Sequence, residues 1–276
     1  MSDPNASRTA ALFDSLAATY DDVGVPFFQP IAEGLVAELE PRVGERWLDI
    51  GCGRGAVLVP AATAVGPTGR VVGIDISAAM VEQAQRVIAD AGLVNATAEV
   101  GDASAPSLAG ELFDVVSSSL VLFFLPDPAA ALRAWLPVLR PGGRVGITTF
   151  GGIDPRWASI DEVFEPYLPP AMKDARTSGA QGPFSSDAGM EGLVSGAGFA
   201  DVRTVATSVA VHFTDAEQWH AFTWSVGQRA MWLAVPEDER PAVRAEAERR
   251  LAEHADADGS ITFVQPVRHT LARRPG

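Results

Sequence analysis

The chain has 276 residues, of which 47% are hydrophobic and 20% charged, and its formal net charge is −14 at pH 7. This length suits one α/β domain with insertions, and the composition is that of a globular protein. The acidic balance excludes a nucleic acid or an anionic membrane as the substrate, because proteins that bind these carry a basic stripe.

A single cysteine excludes an internal disulfide and fits a reducing compartment. No apolar run reaches the length of about 20 residues that spans a bilayer. The opening residues, Met-Ser-Asp-Pro-Asn, lack the basic and apolar regions of a signal peptide. We therefore expect a cytoplasmic protein, a monomer or homodimer, with a small-molecule substrate and neither a nucleic-acid nor a membrane partner.

The first predicted elements are helical. Residues 9–20 are amphipathic, with Leu12, Phe13, Leu16 and Tyr20 roughly on one side. A second helix is predicted at about residues 28–39. Both precede the first strand.

Residues 47–55, Trp-Leu-Asp-Ile-Gly-Cys-Gly-Arg-Gly, are the most informative stretch of the chain. A strand end runs into glycines at three alternate positions, which permit a tight turn and close approach of a ligand to the backbone. The third glycine, Gly55, comes one residue too early for the Gly-x-Gly-x-x-Gly fingerprint of dinucleotide dehydrogenases. Asp49 beside the loop also favours a positively charged ligand over a pyrophosphate.

Four more strand signals follow in register. Residues 69–76 form a buried strand that ends at Asp75, where a carboxylate can bind both ribose hydroxyls. A third strand stops at residues 101–103. Residues 113–118 form the fourth strand, and the fifth begins in residues 139–145.

This order and spacing resemble the class I S-adenosylmethionine-dependent methyltransferases over roughly residues 35–150. The resemblance implies an α/β fold, with a doubly wound seven-stranded Rossmann-like sheet and helices on both faces. The segments added to that core, residues 151–185 and 214–258, are expected to form a helical cap over the carboxyl ends of the strands. It implies S-adenosylmethionine as the cofactor, S-adenosylhomocysteine as its product, and no metal. The donor-binding positions that it implies are Asp49, Gly51, Cys52, Gly53, Asp75, Ile76, Met80, Asp102, Ala103, Ser118 and Ser119.

Each implied role has a plainer alternative. Asp75 would hold the ribose hydroxyls and Asp102 the adenine amino group, but either carboxylate could instead cap a turn. Ile76 and Met80 would pack on adenine, or they could be ordinary core residues. In the same family an Ala-x-x-Tyr-Asp segment borders the donor pocket, so Tyr20 is a candidate catalytic contact as well as a candidate core tyrosine.

The chain divides into parts by these signals. The expected parts are lid helices in residues 1–40, a donor-binding core in 41–150, a cap element in 151–185, a core helix and sixth strand in 186–213, a helical cap insertion in 214–258, and the seventh strand and tail in 259–276. Thr214 is the predicted N-cap of the insertion, with Glu217 three residues later.

The predicted cap is rich in aromatic residues, and apolar, aromatic surfaces line most ligand pockets. We expect substrate contacts at Phe123, Trp157, Trp219 and Trp224, although burial of the cap against the core would also explain them. Many relatives have histidine where this chain has Phe123 and Phe124, which favours apolar positioning at that point over acid–base chemistry.

Of the four histidines, His220 is the first candidate for a base, since it lies at the start of the cap insertion. No carboxylate–histidine cluster has metal-ligand spacing. The sequence thus predicts methyl transfer to a small aromatic or largely apolar metabolite of specialised metabolism. The acceptor atom is left open between O, N and C, and the absence of an obvious base favours an intrinsically nucleophilic acceptor. The alternatives are protein methylation and a non-methylating reaction such as cyclisation.

Overall fold

The computed structural model describes residues 4–106, 108, 110–169 and 182–276. Its centre is a seven-stranded sheet in the order β3-β2-β1-β4-β5-β7-β6. The strands are β1 (Arg46–Ile50), β2 (Arg70–Asp75), β3 (Ala96–Val100), β4 (Phe113–Ser119), β5 (Leu139–Phe150), β6 (Ala200–Phe213) and β7 (Ile261–Arg273). β1 to β5 are parallel, and β7 runs antiparallel to both of its neighbours, β5 and β6. This is the predicted doubly wound α/β architecture.

Helices cover both faces of the sheet. They are α1 (Pro4–Leu16), α2 (Phe28–Glu38), α3 (Leu58–Val65), α4 (Ala78–Asp90), α5 (Pro128–Trp135), α6 (Pro155–Asp161), α7 (Asp187–Gly196), α8 (Ala216–Ser225), α9 (Arg229–Ala234) and α10 (Arg240–Ala252). None of the helices within the described ranges is long and apolar enough to cross a bilayer.

Several helix starts follow from local side chains. Ser77 and Asp127 accept hydrogen bonds from the backbone of Met80 and Ala130, and these bonds begin α4 and α5. The insertion begins one residue later than predicted, because Asp215 and not Thr214 caps α8 by accepting from Gln218 N. The predicted helix at residues 9–20 ends at Leu16, and the rest is a turn. Part of the predicted cap element, residues 170–181, lies outside the described residues.

The two predicted cap regions leave the sheet from the same end. β5 ends at Phe150 and β6 at Phe213, and Phe213 pairs with Ile261 at the start of antiparallel β7. α6 and α8 to α10 therefore lie at the carboxyl end of the sheet, around β5, β7 and β6. The cavity described below lies beside them, at the ends of β1, β2 and β4.

Candidate active site

A cavity of about 290 Å³ opens at the carboxyl ends of the parallel strands. The glycine loop after β1 forms one side, and the residues that follow β2, β3 and β4 form the floor. The segment after α1 covers it from above through Tyr20 and Asp21. Open α/β sheets bind ligands at this edge, where the strand order reverses between β1 and β4.

The glycine loop turns tightly because its first two residues share one acceptor. Gly51 N and Cys52 N both donate to Ile74 O, at 2.8 and 2.9 Å. Gly51 has φ +73°, and a Cβ there would lie 2.3 Å from Cγ2 of Val121. At Gly53, with φ +51°, a Cβ would meet no atom within 4 Å. Since Gly53 lines the cavity, a side chain at that position would occupy the ligand space.

Asp75, at the end of β2, anchors this loop from below. One carboxylate oxygen accepts from Gly53 N at 2.8 Å, and the other accepts from Ser77 N at 2.9 Å. Burial raises its pKa, while the two backbone hydrogen bonds oppose that shift. Each oxygen can accept more than one hydrogen bond. Asp75 is thus both a structural anchor and a free acceptor on the cavity lining.

Asp49 is only 1% exposed, although it too lines the cavity. Its Oδ1 accepts a 2.7 Å hydrogen bond from the Ser117 hydroxyl, which in turn accepts one of 2.8 Å from Trp47 Nε1. Burial raises the pKa of Asp49 to about 7, and the charge of Asp75 adds to the shift, whereas the Ser117 hydrogen bond opposes it. The carboxyl is therefore close to half-ionised at neutral pH.

Another part of the cavity lining mixes apolar and polar groups. Ile76 and Met80 line it, and Met80 is almost completely buried. Asp102 and Ala103 lie beside them on the cavity lining. Asp102 accepts a hydrogen bond from Ser104 N at 2.7 Å, while Ala103 O accepts one from Trp135 Nε1 at 2.7 Å. A flat polar ring placed here would meet an apolar surface on one side and a carboxylate at its edge.

The two serines at the end of β4 have different positions. Ser119 lines the cavity. Ser118 does not line it, since it is fully buried and donates to Ile50 O at 3.0 Å, which ties β4 to β1. The structure thus brings all the predicted donor-binding residues except Ser118 to one cavity.

Four aromatic residues of the cavity lining form a group that we call the aromatic wall: Phe13, Tyr20, Phe28 and Phe124. Tyr20 stacks on Phe28 with ring centroids 4.9 Å apart, and Phe13 meets the edges of both Tyr20 and Phe124. Burial, with the charges of Asp21 and Asp75, raises the pKa of Tyr20. Its hydroxyl therefore stays protonated and can donate a hydrogen bond.

Sequence reasoning missed Asp21 and Arg54 at this wall. Asp21 has φ +54°, a left-handed conformation that is uncommon for a residue with a side chain. Its Oδ1 is buried and has no hydrogen-bond partner among the described residues, and burial raises its pKa to about 6 against the opposing effect of Arg54. The Arg54 guanidinium donates to Tyr20 O. Two signals in the sequence could have indicated these residues: the Tyr-Asp pair after the first helix and the arginine inside the glycine loop.

His220, the predicted base, is not part of the cavity lining. It lies on α8, where its Nε2 accepts a 3.0 Å hydrogen bond from Trp224 Nε1 and its ring lies 5.0 Å from that of Trp232. Burial and the charge of Arg244 lower its pKa, so the ring is neutral and its accepting nitrogen is already in use.

The four predicted substrate contacts are also absent from the cavity lining. Phe123 is buried and stacks on Phe150, while its neighbour Phe124 takes the place on the cavity. Trp157 packs against Phe263 at 5.1 Å. Trp219 is completely buried, and Trp224 stacks on Trp232 at 5.9 Å. Of the four, Trp157 lies between helix α8 and the long β6–β7 pair, because it contacts Phe222 as well as Phe213 and Phe263.

Within the described ranges, no group of three or more histidine, cysteine or carboxylate side chains is arranged to hold a metal ion. The one cysteine, Cys52, is buried in the glycine loop, and burial raises its pKa. Its thiol is therefore protonated and is not positioned as a nucleophile.

Comparison with known proteins gives a consistent result. Residues 48–143 match a methyltransferase domain family. Nocamycin O-methyltransferase of Saccharothrix syringae is 38% identical over 275 residues, which are 95% of this chain and 97% of that protein. Aklanonic acid methyltransferase DauC of Streptomyces sp. strain C5 is 42% identical over 160 residues, 58% of this chain and 73% of the relative.

Among solved structures, phosphoethanolamine N-methyltransferase 2 of Haemonchus contortus, in complex with phosphomonomethylethanolamine and S-adenosylhomocysteine, superposes with a TM-score of 0.59 at 19% identity. The alignment covers 99% of this chain and 59% of that one. Fold, cavity and similarity together define a methyl-transferring enzyme built on a Rossmann-like sheet. The chain belongs to the class I S-adenosylmethionine-dependent methyltransferases, and S-adenosylmethionine is its methyl donor.

Proposed function

We propose that the protein methylates an oxygen atom of a small, aromatic or largely apolar metabolite of specialised metabolism, and that it does so in the cytoplasm. The observation that carries this proposal is the similarity, along almost the whole chain, to an O-methyltransferase named for the natural product nocamycin. The name of the second relative, an aklanonic acid methyltransferase, supports a small acidic acceptor. An aromatic cavity wall suits such a molecule.

The donor would lie along the strand ends. We assign its contacts to Asp49, Gly51, Cys52, Gly53, Asp75, Ile76, Met80, Asp102, Ala103 and Ser119, all of which line the cavity. The unobstructed space above Gly53 and the free lone pairs of Asp75 fit a ribose and its neighbouring chain. When bound, S-adenosylmethionine supplies an electrophilic methyl group on a positively charged sulfur.

The cavity charges suit a cationic ligand. Asp21, Asp49 and Asp75 bring carboxyl groups to the lining, whereas Arg54 brings the one cationic side chain found there among the described residues. Because these groups lie in a low-dielectric site, their interactions with a ligand charge are stronger than in water. The electrostatics therefore favour the sulfonium donor.

The acceptor would lie against the aromatic wall. A volume of about 290 Å³ is at the small end of ligand pockets, so the donor would fill most of it. An acceptor held against these rings would share the cavity with the donor and could approach the methyl group from the far side of the sulfur. Holding the two reactants in line can supply most of the rate enhancement.

We propose that Asp21 is the base that accepts the proton of a hydroxyl or enol acceptor. During transfer the donor sulfur would keep the electron pair of the broken carbon–sulfur bond, the new oxygen–carbon bond would form, and the acceptor proton would pass to the Asp21 carboxylate. With a pKa of about 6, Asp21 is mostly ionised at pH 7 and can act as a base. Tyr20, which stays protonated, would donate a hydrogen bond to the same oxygen.

The test is a transfer assay with S-adenosylmethionine that carries a deuterated methyl group. Aklanonic acid and a panel of hydroxylated and carboxylated aromatic polyketides serve as acceptors, and fragment mass spectra locate the label. Label on oxygen supports the proposal. Label on carbon or nitrogen corrects the acceptor atom. Donor binding with no label on any acceptor, but with a rearranged product, would instead support the non-methylating alternative.

A further inference from the structure

The chain of buried hydrogen bonds from Trp47 through Ser117 to Asp49 has no role in the transfer step proposed above. Trp47 and Asp49 lie two residues apart on β1 and so face the same side of the sheet. Ser117 is the residue of β4 paired with Asp49, and its hydroxyl bridges the two side chains with bonds of 2.8 and 2.7 Å. Trp47 and Ser117 are both completely buried. The bridge fixes Oδ1 of a carboxylate that also lines the cavity.

This geometry makes Asp49 a carboxyl with one fixed hydrogen bond, almost no exposure to water and a ligand cavity in front of it. An ionised carboxylate in such a place needs a compensating positive charge. Among the described residues of the cavity lining, little positive charge is available to Asp49. The one cationic side chain, Arg54, is engaged with the Tyr20 carbonyl. The other titratable groups are carboxyls or neutral: Asp75, Asp21 and Asp102, and Cys52 and Tyr20.

We propose that Asp49, oriented by Ser117 and Trp47, couples a proton to the charge of the ligand and so helps the site to distinguish methyl donor from product. In the ligand-free site at neutral pH, Asp49 is protonated in part of the molecules. Binding of the donor, which carries one net positive charge, releases that proton to solvent. The thioether product carries no net charge, so its binding releases a smaller fraction of a proton. This inference rests on the proposed placement of the donor beside Asp49.

The coupling favours release of the product. Methyl transfer removes the positive charge from sulfur while Asp49 is ionised. The site is then left with an excess of negative charge, and Asp49 regains a proton as the product leaves. Ser117 and Trp47 are positioning residues in this scheme, because they act on the ligand only through Asp49.

The test uses calorimetric titration of the full chain with S-adenosylmethionine and, separately, S-adenosylhomocysteine at pH 6, 7 and 8. Each titration is run in two buffers of different ionisation enthalpy, so that the heat difference counts the protons released. A single proton with a free-state pKa of about 7 predicts donor affinity about tenfold higher at pH 8 than at pH 6. Product affinity should change by less than about threefold over the same range.

Variants separate the proposal from a purely structural role. Asp49→Asn should flatten the pH dependence of donor binding. Ser117→Ala removes the hydrogen bond that opposes the upward pKa shift, so the midpoint of the pH dependence should move to higher pH. Asp90→Asn, a matched charge loss at the exposed end of α4, should leave the wild-type profile unchanged.

The possible failures differ from one another. If neither ligand binds the wild-type protein at any pH, the proposed donor site itself is overturned. If both bind but no proton is released, or if Asp49→Asn keeps the wild-type pH dependence, the coupling is overturned and the donor site stands. If Asp49→Asn does not fold, an unmoved midpoint in Ser117→Ala would overturn the coupling in its place.

Discussion

Two regions at the carboxyl edge of the sheet, called here the β1–β4 end and the β5–β7 end, use similar side chains for different purposes. At the β1–β4 end, carboxylates and aromatic rings line a cavity and keep part of their bonding capacity free. At the β5–β7 end, aromatic rings are more numerous but pack on one another, as Trp157 does on Phe263 and Trp224 on Trp232. An abundance of aromatic residues therefore marks a packed core as readily as a binding site, and contact with a cavity distinguishes the two.

The largest effect that separates the two ends is expected at Trp157. Its indole is 4% exposed and packs against Phe263 and Phe213. Trp157→Ala should lower the free energy of unfolding by about 3–5 kcal/mol, the usual cost of emptying a large aromatic site. Denaturant unfolding measures this, and calorimetry on the folded variant should give unchanged donor affinity. A tenfold weaker donor affinity would place Trp157 at the ligand after all.

At the glycine loop, a substitution is expected to weaken donor binding. Gly53→Val should place a side chain in the cavity and weaken donor binding by at least about 100-fold, or about 2.7 kcal/mol. Gly92→Val is the matched control, since Gly92 also has positive φ and no atom within 4 Å of its added Cβ, but lies outside the cavity. Equal losses of donor affinity in the two variants would attribute the effect to backbone strain.

Asp75→Ala tests the carboxylate that both anchors the loop and faces the ligand. We expect donor affinity to fall by about 1–3 kcal/mol, the scale for leaving hydrogen-bonded groups without a partner. The measurement is calorimetric titration with S-adenosylhomocysteine. An unchanged dissociation constant would contradict the assigned ribose contact.

The smallest effect is expected at His220. His220→Ala removes one hydrogen-bond acceptor, so the free energy of unfolding should fall by about 1 kcal/mol. Turnover on the acceptor identified by labelled methyl transfer should fall less than tenfold, whereas loss of a general base costs roughly 100-fold or more. Asp21→Asn should show that larger loss. The reverse ranking of the two variants would restore His220 as the base.

The sequence was sufficient to predict where the residues of the glycine loop and Asp75 lie, because their positions are set locally. Gly51, Gly53 and Asp75 follow strand ends directly, so their place at the carboxyl edge of a parallel sheet could be predicted from strand order alone. The aromatic wall could not be predicted in this way. Phe13, Phe28 and Phe124 come from three separate segments, and only the folded chain brings them to one cavity.

The insertion was predicted to be helical, and it is, but its contacts depend on a partner that the local pattern does not reveal. β6 and β7 run for 14 and 13 residues, and their extension carries Phe213 and Phe263 up to the insertion. With those partners present, Trp157 is buried in a core, whereas Trp219 is buried against Trp232 of the insertion itself. Asp21 was missed for a related reason, because its left-handed backbone and buried oxygen are products of the fold.

The strand order also bears on how the protein is made. β7 follows β6 in the chain, yet it lies between β5 and β6 and hydrogen-bonds to both. A nascent chain that has not reached residue 261 therefore exposes one edge of β5 and has no sheet partner for β6. Translation proceeds at about 5–20 residues per second, so these edges stay open for seconds. Strands β1 to β5 and the glycine loop can assemble during that interval, and a ribosome stalled before β7 would leave two unpaired edges open to chaperones or aggregation.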